Sequence, residues 1–101
     1  MVQLSELSYT ARGDILSTNC ETLREEFMSM VRQAPAGSAV SFDLRVTRLI
    51  DSAGLNLLVS AIKAAQNRNV RVRIHVAHAN VARILTFTRL NQHAEITQSA
   101  V

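Results

Sequence analysis

The middle of the chain carries the clearest pattern of apolar and polar positions. In the segment 40–46 every second residue is apolar, and polar residues stand between them. The apolar positions are Val40, Phe42, Leu44 and Val46. Alternation with a period of two predicts a β-strand with one buried face.

From Leu55 the period changes to that of a helix. Apolar residues recur three and four positions apart, which predicts an amphipathic helix with one face toward the core. The inward positions are Leu55, Leu58, Val59, Ile62 and either Ala65 or Gln66, and the outward positions include Asn56 and Lys63. Leu57 falls outside this stripe, so we expect it to be exposed and open to a partner.

The four residues Asp51, Ser52, Ala53 and Gly54 join the strand to the helix. A side-chain oxygen of Asp51 or Ser52 can accept a backbone N–H of the first helical turn, so either residue is a good N-cap. Gly54 allows another backbone to come close because it has no side chain. The junction therefore predicts a small hydroxyl at the positive end of a helix, just past the carboxyl end of a strand, where sites form in open α/β sheets.

Weaker patterns precede this segment. Residues 4–12 predict a short strand with Leu7 and Tyr9 on one side. A polar residue of the segment 17–19 can cap a helix over residues 20–34. The apolar stripe of that helix is Leu23, Phe27, Met30 and Val31.

Residues 70–76 alternate again, with Arg71, Arg73 and His75 on the polar side. A strand covered on both faces would be apolar throughout. We therefore expect the helices to pack on one face of the sheet and to leave the other largely open to water. Strand, helix and strand over this distance predict a right-handed βαβ unit. Residues 79–90 predict a further helix, and residues 93–97 a short edge strand.

Size and composition restrict the class of protein. A chain of 101 residues forms one domain. With 48% hydrophobic and 19% charged residues it is expected to be globular. The single cysteine, Cys20, has no partner for an internal disulfide, which favours a reducing compartment. No apolar run approaches the ~20 residues that span a bilayer, and the first residues lack a signal-peptide pattern. We expect a cytoplasmic protein without direct membrane insertion.

Charge and candidate catalytic groups give little support to other functions. The net charge is +3, but the arginines are dispersed and no nucleic-acid motif accompanies them, so no nucleic-acid partner is predicted.

His75 and His78 lack further ligands for a metal site. Asp51 adjoins Ser52 directly, whereas a catalytic triad needs a base between carboxylate and nucleophile. We expect neither an enzyme nor a cofactor. An acid–base enzyme built on Asp51 and a histidine would need a pocket, and Ser52 as a plain helix cap is the other alternative.

The segment Ile50-Asp51-Ser52-Ala53-Gly54-Leu55 resembles the Asp-Ser-Ser/Thr-Gly-Leu signature of STAS domains, specifically of bacterial anti-sigma factor antagonists. The turn Gly13-Asp14-Ile15 is similar to the one before that family's first helix, although Leu16 stands where the family usually has Asp. Residues 71–77 and 81–90 resemble its next strand and helix. The resemblance implies a single STAS domain over residues 1–101, an α/β fold with a mixed β-sheet and helices packed mainly on one face.

The resemblance also implies a function in partner switching. Ser52 is the position that a serine kinase of the histidine-kinase-like ATPase class phosphorylates in the family, and that kinase doubles as the anti-sigma factor. The unphosphorylated antagonist binds the kinase and frees the sigma factor, and a serine phosphatase resets the switch. ATP belongs to the kinase, so this chain acts as substrate and ligand. The expected partner-binding residues are Asp14, Ser17, Asp51, Ser52, Ala53, Gly54, Asn56 and Leu57. The alternative is an accessory subunit of a lipid-transporting ABC ATPase that uses the same surface without phosphorylation.

Overall fold

Strands and helices alternate along the chain in the computed structural model, which describes residues 7–99. The strands are β1 (Leu7–Thr10), β2 (Ala39–Leu44), β3 (Arg71–Val76) and β4 (Glu95–Gln98), and the helices are α1 (Cys20–Gln33), α2 (Ser52–Asn67) and α3 (Ala79–Phe87). A short 3-10 helix, Leu90–Gln92, precedes β4. No helix within residues 7–99 is long and apolar enough to cross a membrane. The predicted start of the first strand, residues 4–6, lies outside the described residues.

The four strands form one sheet in the order β1-β2-β3-β4, and each pair is parallel. The predicted mixed sheet is therefore corrected, within the described residues, to a parallel one. The reason is that a helical connection returns the chain to the same end of the sheet before each new strand. When successive neighbouring strands are joined by crossovers of one hand, and such crossovers are almost always right-handed, the connecting helices lie on one face of the sheet.

The two faces of the sheet differ as the alternating pattern predicts. One face is apolar and buried beneath the helices, and its central row joins Tyr9, Phe42, Ile74 and Ile96 across the four strands. The opposite face is polar, and Thr10, Asp43, His75 and Thr97 form one of its rows. The prediction of helices on one side and a largely wet face on the other is confirmed.

Helix α1 covers the sheet with the stripe that the sequence predicts. Phe27 and Val31 are fully buried, whereas Leu23 and Met30 are half-buried. The Phe27 ring lies 5.0 Å from the ring of Tyr9 and 4.6 Å from that of Phe42, measured between centroids. Through these aromatic contacts α1 packs against β1 and β2. The packing helps to set the position of the loop between β1 and α1.

Strand β2 ends earlier than its alternation predicts. It stops at Leu44, and Val46 is 54% exposed instead of continuing the buried face. The Asp43 carboxylate accepts hydrogen bonds from the Arg45 backbone N–H at 3.1 Å and from the Arg45 guanidinium. An aspartate that binds the backbone two residues ahead is typical of a turn. The Thr47 N–H completes the turn by donating to the Leu44 carbonyl.

Helix α3 is also shorter than predicted, because it ends at Phe87 and not at Leu90. Arg89 adopts a left-handed backbone conformation with φ 63°, which interrupts the helical hydrogen bonds. The Thr88 hydroxyl donates to the Ile84 carbonyl and occupies an acceptor at the helix end. The chain then turns through the 3-10 helix into the edge strand β4, near the predicted position.

Candidate functional site

Two loops meet at the carboxyl edge of the sheet. The first loop, residues 11–19, follows β1, and the second loop, residues 45–51, follows β2. Adjacent parallel strands deliver both loops to the same edge. A single parallel bridge joins Ile15 to Ile50, and both of these side chains are buried. The junction that contains Ser52 therefore rests on the first loop as well as on its own strand.

Each loop holds the backbone of the other through an aspartate. The Asp14 Oδ1 of the first loop accepts the N–H groups of Arg48 at 2.9 Å and Leu49 at 3.1 Å. The Asp51 Oδ2 of the second loop accepts the N–H of Ser17 at 2.8 Å. Hydrogen bonds to a charged acceptor are stronger than neutral ones. We call this pair of contacts the reciprocal clamp.

Backbone contacts support the reciprocal clamp. The Ile15 N–H donates to the Leu49 carbonyl at 3.1 Å, and the Asp51 N–H donates to the Ile15 carbonyl at 3.3 Å. The hydroxyl of Thr47, which is fully buried, donates to the Gly13 carbonyl at 2.8 Å. Because the contacts come from several points along both loops, they hold the two loops together as one continuous surface.

Gly54 is placed where only a glycine fits without displacing its neighbours. A Cβ added at Gly54 would collide with the backbone carbonyl oxygen of Ile15. The sequence-based expectation that Gly54 permits close approach of another backbone is thus met, and the backbone concerned is that of the first loop.

Helix α2 begins at Ser52, directly after its N-cap Asp51. The Asp51 Oδ1 accepts the Gly54 N–H at 2.9 Å, which satisfies one of the free donors of the first turn. Of the two predicted caps, Asp51 is therefore the one used. Ser52 is exposed at the first helical position, and the plain-cap alternative for its side chain does not apply.

The two aspartates of the reciprocal clamp are held in their ionised form. Hydrogen bonds from the N–H groups of Gly54 and Ser17 lower the pKa of Asp51. Those from Arg48 and Leu49 lower the pKa of Asp14. A general base works best with a pKa near the operating pH, so Asp51 is poorly suited to the acid–base enzyme alternative. Residues 7–99 contain no group of three or more potential metal ligands.

The structure brings most of the expected partner-binding residues together. Asp14, Ser17, Asp51 and Gly54 all belong to the contacts between the two loops. Ser52 and Asn56 are exposed on the first two turns of α2, and Ala53 is half-buried beside them. Leu16, where the family usually has Asp, is half-buried and donates its N–H to the side chain of Asn19.

The prediction that Leu57 is exposed and available to a partner is wrong, because the exposed fraction of its side chain is 0%. The face of α2 toward the core contains Gly54, Leu57, Leu58, Ala61, Ile62 and Ala65. Because Gly54 lies against Ile15, the side of α2 that contains Gly54 faces the core. The residues three and seven positions later lie on the same side of the helix and therefore also face the core. Leu55 and Val59, predicted to point inward, are only half-buried as a result.

Arg48 and Leu49 were missed by the sequence analysis, although both lie at the centre of the second loop. A signal was available in the apolar pair Leu49-Ile50. Neighbouring residues of an extended segment point to opposite sides, so only one of them can enter the core. The structure buries Ile50 and leaves Leu49 55% exposed.

Comparisons with known proteins agree with this architecture. The family model described as the STAS domain matches residues 2–100. A solved structure of the anti-sigma factor antagonist SpoIIAA in its unphosphorylated form is similar, with a TM-score of 0.69 and 12% sequence identity over 100% of this chain and 84% of that one. No curated protein matches by sequence. At 12% identity the structural likeness establishes the fold, and the family match covers nearly the whole chain: this protein belongs to the STAS domain family.

Proposed function

We propose that this chain is a partner-switching regulator of the anti-sigma factor antagonist type, controlled by phosphorylation of Ser52. Its partner is a serine kinase and anti-sigma factor of the histidine-kinase-like ATPase class, and a serine phosphatase reverses the modification. The observation that carries the proposal is the exposed Ser52 at the start of α2, beside a surface fixed by the reciprocal clamp. Membership of the STAS family and the fold shared with SpoIIAA support it.

We expect phosphorylation of Ser52 to add negative charge to the surface without unfolding the domain. A phosphoserine carries about −1.5 to −2 charges, and the helix N-terminus offsets roughly 0.3–1 kcal/mol of their cost at an exposed site. Ser52 contributes none of the hydrogen bonds that join the two loops in the described residues. The fold therefore tolerates the phosphate.

The same phosphate is expected to prevent a partner from docking over Ser52. The Gly54 N–H is already bonded to Asp51, so the phosphate stays at the surface next to a second negative charge. A partner covering both groups must remove their water and accept like charges at close range, which costs several kcal/mol. A penalty of about 3–4 kcal/mol weakens binding several-hundred-fold. The switch acts locally, by charge and steric exclusion.

The test uses purified kinases of this class from the native host, with wild-type protein, Ser52→Ala and Ser52→Asp. We expect wild type to bind one kinase and to be phosphorylated by it with ATP, Ser52→Ala to bind without being phosphorylated, and Ser52→Asp to fold but bind several-hundred-fold more weakly. Ser8→Asp is the matched control, because it adds the same charge to an exposed serine of the open sheet face. Equal affinity of Ser52→Asp and wild type would refute the mechanism. Stoichiometric co-purification with a membrane ATPase, without phosphate on Ser52, would support the transporter alternative.

A further inference from the structure

The exposed side chains of α2 around Ser52 are polar and do not by themselves supply the apolar core of a stable interface. Stable protein interfaces bury about 800 Å² per partner and involve some 20–30 residues a side. Their cores are depleted in charge and rich in apolar side chains. The exposed residues on the first two turns of α2 are Ser52 and Asn56, both polar. A partner that responds to Ser52 must therefore find its apolar contact on a neighbouring element.

The second loop supplies that contact. Among the described residues, the exposed large hydrophobic side chains are Val46 at 54%, Leu49 at 55% and Phe87 at 84%. Val46 and Leu49 both belong to the second loop, and Leu49 precedes Ser52 by only three residues. Phe87 lies at the far end of α3, which begins at the same sheet edge, and a helix of its length carries it roughly 12 Å from that edge.

The exposure of Leu49 is imposed by its surroundings. Its N–H donates to Asp14 and its carbonyl accepts the Ile15 N–H, while the next residue, Ile50, occupies the core. The backbone cannot rotate Leu49 inward without breaking these contacts. Because the backbone of Leu49 is already held in place, less backbone entropy is lost when a partner covers its side chain, which favours binding.

Arg48 places an exposed positive side chain beside Leu49. The Asp14 carboxylate, whose Oδ1 accepts the backbone N–H groups of Arg48 and Leu49, interacts with this charge electrostatically but forms no ion pair with the guanidinium within the described residues. Arg45 is offset by its ion pair with Asp43 at 2.8 Å. A complementary partner surface would place a carboxylate near Arg48.

From these observations we infer that Leu49 and Val46 together form the main apolar contact with the partner whose binding depends on the state of Ser52. We call this pair of residues the anchor. The anchor enters an apolar pocket of that protein, bordered by a carboxylate that meets Arg48. This inference rests on the proposed function, since it assigns the core of the same interface.

Site-specific photo-crosslinking of the full chain in the native host tests the inference. Benzoylphenylalanine replaces Leu49, Asn56 or Phe87 in separate variants, and mass spectrometry identifies the crosslinked protein. We expect positions 49 and 56 to capture the same protein, both crosslinks to disappear in the Ser52→Asp background, and position 87 to capture nothing in common with them. Capture at 56 without capture at 49 overturns the inference and leaves the proposed function standing. Absence of Ser52-dependent capture at both positions overturns the two together.

Affinity measurements with the captured protein, purified, provide the second part of the test. We expect Leu49→Ala to weaken binding by about tenfold or more, as truncation of an anchor does, and Val46→Ala by less. Arg48→Glu should weaken binding most at low salt, because the contact is electrostatic. Phe87→Ala is the matched control and should bind as wild type, with unfolding curves confirming that each variant folds. Binding of Leu49→Ala at wild-type affinity, or a position-49 crosslink that survives Ser52→Asp, shows that this pair is not the anchor.

Discussion

The contact between Gly54 and the Ile15 carbonyl predicts a stability change of unusual sign. Replacing glycine by alanine inside a helix ordinarily stabilises it by up to ~1 kcal/mol. In Gly54→Ala the new Cβ collides with the backbone oxygen of Ile15, and overpacking of this kind costs about 1–3 kcal/mol. Moving the carbonyl also weakens the backbone hydrogen bond that it accepts, worth about 0.5–1.5 kcal/mol. The net expectation is a loss of roughly 2 kcal/mol.

Thermal and urea unfolding followed by circular dichroism measure this loss. For a domain of this size each kcal/mol shifts Tm by about 4–8 °C, so Gly54→Ala should melt roughly 8–16 °C below wild type. Gly13→Ala is the matched control: no atom lies within 4 Å of its added Cβ, and its Tm should be unchanged or slightly higher. Gly37→Ala, at φ 88°, should be destabilised by backbone strain without affecting the two loops. A Gly54→Ala protein that melts at or above wild type, alongside Gly13→Ala, would refute the close contact.

Two further predictions concern the same region. The pKa values of Asp51 and Asp14 are lowered because backbone N–H groups donate to their carboxylates. These two residues therefore stabilise the fold fully above the pKa of an unfolded aspartate, about 3.9. This stabilisation is lost as the pH falls from that value through the lower pKa values of the folded state. Urea midpoints should be level above about pH 5 and fall below it, and a fall of equal steepness in Asp14→Asn/Asp51→Asn would contradict this origin. Leu57→Ala should lower the free energy of unfolding by about 2–5 kcal/mol, whereas Leu49→Ala should change it by less than about 0.5 kcal/mol. Equal urea midpoints for these two variants would contradict the assigned burial.

The reciprocal clamp explains how a chemical change at Ser52 can leave the domain intact. Asp14 and Asp51 fix the two loops through backbone N–H groups, and Thr47 adds a buried hydroxyl contact. Ser52 takes part in none of these bonds, so the proposed phosphorylation would leave them in place. Under the proposed function, the surface offered to a partner would keep its shape, and only its charge and bulk would change.

Local sequence determined the main elements and left Asp51 and Ser52 as the two candidate caps of α2. Alternation placed β2 and β3, the change of period placed α2, and the polar side of β3 indicated an open sheet face. Asp51 was among the candidate caps because its side chain lies only three residues from the N–H that it accepts. This contact lies within one helical turn, so it can be inferred from adjacent residues. Gly54 was singled out because it lacks a Cβ, but the sequence did not indicate that Ile15 is the residue that approaches it.

The tertiary structure alone decided which side of α2 and which apolar residue of the second loop are buried, and how the two loops are held. Leu57 and Leu49 are the same residue type on either side of Ser52, yet one is fully buried and the other is 55% exposed. The difference arises because the Ile15 carbonyl orients α2 through Gly54, and because Asp14 holds the Arg48 and Leu49 backbone from 34 and 35 residues away. Periodicity describes one element at a time, whereas these contacts join two loops that only the parallel sheet brings together.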